Sequence, residues 1–138
     1  MVIASIQMYS TGDKERNLQT MEKYLEHINK AFPNIKMVVF PELAAHGSIS
    51  NMRKEAEVIP GELTSIFSNM ANKYNLWLIP GSIYEKSDNE IFNTTPVFSS
   101  NGDLLGKYRK RYPWRPSEKT TPGGTHFTFD VDGLGTVG

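Results

Sequence analysis

The sequence contains no cysteine. That absence excludes disulfides, thiolate metal sites, iron–sulfur clusters and any thiol nucleophile supplied by these 138 residues. Charge of one sign is missing too. Fifteen Lys and Arg balance fifteen Asp and Glu, with a pI near 6.8, which argues against bulk neutralisation of phosphate and leaves room only for a local basic patch. No apolar run exceeds four residues, against the roughly 20 needed to span a bilayer. Residues 1–8 lack the basic and long apolar segments of a secretory leader and read better as a strand. The expectation is a cytoplasmic protein without membrane contact, in which the sequon Asn93-Thr94-Thr95 carries no glycan.

What is present suits a globular chain. Apolar residues at 38% and aromatics at 11% supply a core, and the length fits one domain over 1–138. Residues 2–8 are β-branched and apolar, and Ser10-Thr11-Gly12-Asp13 stops them. Leu18, Met21, Leu25, Ile28 and Phe32 then recur at intervals of three and four, the stripe of an amphipathic helix that Pro33-Asn34 ends. Residues 35–40 form the next apolar strand, so the order is strand, helix, strand, and pairing is predicted to be parallel. A second helix over 62–74 follows Pro60-Gly61 and leads into a strand at 76–79.

Beyond Pro80-Gly81 the pattern changes. Short strands at 82–85, 91–99 and 104–108 are separated by Asp88-Asn89 and Asn101-Gly102-Asp103, which are hairpin signals. Residues 113–124 read as a long ordered or functional loop, 126–131 as a strand, and 136–138 as the start of another. A sheet ending there would leave edge groups and apolar surface uncovered, so the C-terminus reads as a truncation.

Three segments could carry chemistry. Glu42 stands just past the C-terminal end of a buried strand, in Val38-Val39-Phe40-Pro41-Glu42-Leu43, at the edge where open α/β sheets bind ligands. On position alone a solvated surface acid is the favoured reading. Residues 106–115 interleave five cations with three aromatics, a pattern that could grip single-stranded nucleic acid; one short patch on a neutral chain gives little of the expected footprint, and nucleic acid is disfavoured. Glu118 lies in the long loop, between Pro116-Ser117 and Pro122-Gly123-Gly124.

Together, Phe-Pro-Glu after a strand, Tyr-Arg-Lys about seventy residues on, Pro-Trp-x-Pro-x-Glu and Pro-Gly-Gly resemble the nitrilase superfamily of carbon–nitrogen hydrolases. The resemblance runs through the whole chain and is nearest to the aliphatic amidase and formamidase branch. It implies an α/β fold, the N-terminal half of an α-β-β-α sandwich. It also implies Glu42 as general base, Lys110 as the catalytic lysine and Glu118 as the second glutamate of the amidase branch. The implied reaction hydrolyses a small, formamide-like aliphatic amide to carboxylate and ammonia through an acyl-thioester, with no cofactor and no metal, in a homo-oligomer. The family's nucleophile is a cysteine shortly after a segment like 134–138, and this chain stops before reaching one. The expectation is therefore a truncated domain, inactive alone, or alternatively a non-catalytic partner that pairs through its sheet edge.

Competing motifs fare worse. Gly133-Leu134-Gly135-Thr136-Val137-Gly138 spells a dinucleotide fingerprint, yet no helix or later acid follows, and a hairpin turn is favoured. Glu42 and His46 stand four apart, but Pro41 and Gly47-Ser48 make a poor helix for a metal pair. His27 and His126 read as ordinary, and no Gly-x-Ser-x-Gly elbow supports a serine triad.

Overall fold

The structure, a computed structural model, describes residues 2–47 and 51–138. The chain starts with β1 (Val2–Ser5), which leads through a turn to α1 (Lys14–Ala31). Asp13 caps α1, its side chain accepting the Arg16 N–H, one of the free amides at the helix start. The predicted stripe is buried as Met21, Leu25 and Ile28, whereas Phe32 falls just past the helix end and is about half exposed. β2 (Ile35–Val39) follows, then a short α2 (Met52–Glu55), α3 (Glu62–Tyr74) and β3 (Trp77–Ile79).

β1, β2 and β3 are parallel neighbours in that order, with Ile3 opposite Met37 and Val38 opposite Leu78. Each junction is a crossover through helix, and two right-handed crossovers running the same way place α1 and α3 on one face of the sheet. There Met21, Leu25, Phe67 and Ala71 pack on Val38, Leu78 and Phe98 in one buried cluster. β4 (Ile83–Ser87), β5 (Glu90–Phe98) and β6 (Leu104–Arg109) continue the sheet antiparallel. Thr94 of β5 pairs with Ile83 on one side and Arg109 on the other. Phe98 pairs with Leu78 and Leu104 in the same way. Hence β3 and β4 share one edge of β5, and β6 closes the sheet on its other edge.

A final hairpin of β7 (Phe129–Val131) and β8 (Gly135–Val137) turns through Gly133 and Gly135, both at positive φ. It packs on the sheet face away from the helices, where Phe129 stacks on Trp77 and on Phe127. Gly106 makes that approach possible, because a Cβ there would lie 2.3 Å from the Phe127 ring.

The expected strands and helices are present with shifted ends. The strand predicted over 2–8 stops at Ser5, and that predicted from 126 begins at Phe129. α2, which has no buried residue and so no apolar stripe, was not predicted. The architecture is the α/β one expected, with β1, β2 and β3 parallel and α1 and α3 packed on one face of the sheet.

Candidate active site

Side chains alternate between the two faces of a strand, and that period builds the site. On β4, β5 and just past β6 the row Tyr84, Asn93, Lys110 is formed by Tyr84 opposite Asn93 and by the Lys110 N–H donating to the Asn93 carbonyl at 2.8 Å. This row is one residue out of phase with Ile83, Thr94 and Arg109, so it faces away from the helices. Glu42 arrives from the segment after β2. That turn is held by Phe40 N–H to the Ile79 carbonyl and by Leu43 N–H to Ser82 Oγ. Gly81 permits the approach, since a Cβ would lie 1.9 Å from the Pro41 oxygen.

Glu118 comes from the loop after β6. The loop is bound to the sheet by Thr121 N–H to the Ile91 carbonyl and Gly123 N–H to the Lys110 carbonyl. Arg115 donates to the carbonyls of Glu118 and Thr120, and the Trp114 N–H donates to Glu118 Oε2.

These elements meet at one ammonium. Lys110 Nζ lies 2.8 Å from Glu42 Oε1, 3.0 Å from Glu118 Oε1 and 2.9 Å from Glu118 Oε2. All three residues singled out in the sequence are thus brought together. The cluster opens to solvent on the Glu42 side, whose side chain is 53% exposed against 29% for Lys110. Partial burial works against the charge on Lys110, but the hydrogen bonds it donates to Glu42 and Glu118 outweigh it and hold the ammonium above its usual range. For Glu118 burial pushes the pKa up, and the Lys110, Trp114 and Asn93 donors more than reverse this, leaving the carboxyl lowered. Tyr84, half-buried beside them, has its phenol raised by burial and by the Glu118 and Glu42 charges, so it stays protonated.

The sequence reading missed Asn93. It appears there only as the first residue of a sequon, yet it is 2% exposed and its Nδ2 donates to Glu42 Oε1 at 2.6 Å and Glu118 Oε1 at 3.2 Å. Its period-two position in a strand was the available signal. His27 and His126 are surface residues, His126 against Arg111 and His27 against Phe32. His46 is buried against the Tyr84 ring, and burial lowers it to about 4. No group of three or more metal-ligating side chains occurs among the described residues, and no helix there is long and apolar enough to cross a membrane.

The basic run is divided by the same alternation. Lys107 and Arg109 turn to the helix side and bind Glu85, Lys110 faces the acids, and Arg115 is engaged by carbonyls. It forms no continuous cationic stripe.

Residues 2–131 match the carbon-nitrogen hydrolase family, and the chain belongs to it. It is 34% identical over 140 residues to the omega-amidase NIT3 of Saccharomyces cerevisiae, covering 88% of this chain and 48% of that protein. It is 31% identical over 141 residues to the human omega-amidase NIT2, covering 94% and 50%. The crystal structure of yeast Nit3, a member of branch 10 of the nitrilase superfamily, superposes with a TM-score of 0.87 over 97% of this chain and 52% of that one. The chain spans about half the length of the curated relatives it matches. These relatives carry omega-amidase names, not names of the aliphatic amidase and formamidase branch expected from the motifs.

Proposed function

We propose that this chain supplies the acid and ammonium groups of an amide-hydrolysing site whose thiol comes from polypeptide outside these residues. The observation that carries the reading is Lys110 Nζ within 3.0 Å of both Glu42 and Glu118 at a solvent-open edge of the sheet. In this reading Glu42 takes the thiol proton as sulfur attacks the amide carbon, and the carbonyl electrons move onto oxygen. Such a base contributes about 10²- to 10⁴-fold. Lys110 faces the oxyanion, an interaction of roughly 3 to 4 kcal/mol by analogy with lost oxyanion donors. The C–N bond then breaks, and Glu42 returns its proton to the departing ammonia. Water next attacks the thioester with Glu42 again as base, releasing carboxylate and regenerating the thiol. Glu118 holds Lys110 in place.

The names of the similar yeast and human proteins favour an amide at the far end of a longer acyl chain over a formamide-like substrate. Association with further copies, or with a chain that completes the site, belongs to the same proposal. The test joins this chain to the half of yeast NIT3 that it does not match and follows ammonia release from an omega-amide. Turnover lost on Glu42→Gln, together with no release by the 138-residue chain alone, is the expected result. Sustained release by the chain alone above its Glu42→Gln control would overturn the proposal.

A further inference from the structure

The side-chain amide of Asn93 completes a closed ring of hydrogen bonds. Glu42 Oε1 accepts from Lys110 Nζ at 2.8 Å, Glu118 Oε1 accepts from Lys110 at 3.0 Å and from Asn93 Nδ2 at 3.2 Å, and Asn93 returns to Glu42 Oε1 at 2.6 Å. Donors and acceptors alternate around this ring. Both neighbours of the Asn93 terminus are carboxylate oxygens, so the nitrogen and not the oxygen must face them.

The hydrogen count then fixes what is left over. An amide nitrogen has two hydrogens, and the ring uses both; an ammonium has three, and the ring uses two. The third Lys110 hydrogen lies outside the ring with Glu118 Oε2 at 2.9 Å from the nitrogen, whereas Glu42 Oε2 accepts no hydrogen bond from any described residue. Lysine sits on a long flexible stem, so without a second donor it would hold two repelling carboxylates in a loose arrangement. Asn93 is the rigid member. It is buried in the middle of β5, and its own carbonyl accepts the Lys110 N–H at 2.8 Å, so one residue restrains Lys110 through backbone and side chain together.

We propose that Asn93 is a positioning residue of this site: by bridging Glu42 and Glu118 it locks both onto Lys110 and decides which oxygen of Glu42 faces a substrate. The inference rests on the amidase reading for its purpose, but its test is independent of turnover. The experiment is an NMR titration of the 138-residue chain, following the Glu118 carboxyl carbon and the Lys110 Nζ in the parent, in Asn93→Leu and in Asn93→Ser. Leu keeps the size without a donor; Ser is neutral and too short to span both acids.

The expected result is that Glu118 titrates at higher pH in both variants, having lost a donor to its charged form, while circular dichroism of the sheet is unchanged. Folded variants whose Glu118 and Lys110 titrations superimpose on the parent would overturn the proposal. If Asn93→Leu fails to fold, Asn93→Ser decides alone. Absence of amide hydrolysis in the joined enzyme would count against the amidase reading and leave the titration result standing.

Discussion

Two charged clusters lie back to back on the sheet, where Tyr84 and Glu85, Asn93 and Thr94, and Lys110 and Arg109 are neighbours in sequence that face opposite ways, with Glu42 and Glu118 joining one cluster from loops. On the helix side Glu85 accepts from Thr94 Oγ1 at 2.7 Å, Lys107 Nζ at 2.5 Å, and Arg109 Nη2 and Nε at 2.6 and 2.9 Å. On the other side Lys110 serves Glu42 and Glu118. The first has one acid between two cations, with its carboxylate side chain 2% exposed and both oxygens taken. The second has two acids on one cation, is half open, and keeps one Glu42 oxygen without a hydrogen bond from any described residue. A buried charge that uses all its partners fixes strands in place. One with spare valences on a wet edge is suited to passing protons.

The comparison predicts unequal costs. Glu85→Ala leaves Arg109 and Lys107 without their acid beneath the strands, and we expect a loss of about 3 to 5 kcal/mol in urea denaturation. A loss below about 1 kcal/mol, the level of a surface pair, would show the two clusters to be alike.

Acid titration sharpens the same contrast. Burial alone would raise Glu85, but the Arg109, Lys107 and Thr94 hydrogen bonds lower it to about 2 from 4.5. A depressed folded pKa gives stability that is complete above the unfolded value and is lost as the pH falls. About 3 kcal/mol should therefore disappear between pH 4.5 and 2. Denaturation midpoints across that window check this, and Glu85→Gln should flatten the slope.

Neighbouring cations give the next smaller effect. Arg109→Ala removes two hydrogen bonds to the buried carboxylate and its stacking on the Phe92 ring at 3.8 Å. Roughly 2 kcal/mol should be lost, as for hydrogen bonds to charged groups. Lys110→Ala, one residue on, should cost less than about 1 kcal/mol because its partners are partly solvated. It should instead move Glu118 to titrate at higher pH. Equal destabilisation by the two would remove the distinction between faces.

Much of this was readable in the residues. Intervals of three and four marked α1 and α3, and apolar runs bounded by Pro and Gly marked the first three strands, because those elements are made by burial. α2 has no buried side chain and left no periodic trace. Glu42, Lys110 and Glu118 were found through a resemblance to known motifs; spacing could not have shown that residues 68 apart touch. Asn93 escaped because a sequon drew attention to its neighbours in sequence, whereas its meaning lies across the sheet, opposite Lys110. The basic run was misleading for the same reason: alternation sends Arg109 and Lys110 to opposite faces, which a linear reading of charge ignores.

The most direct test exchanges one cation from each cluster in the chain joined to the half of yeast NIT3 that it does not match. Omega-amide hydrolysis is measured per folded molecule for Lys110→Met and Lys107→Met. Lys110→Met is expected to abolish turnover with the fold intact, while Lys107→Met lowers stability and keeps the rate. Turnover surviving in Lys110→Met, or failing equally in both folded proteins, would contradict that expectation.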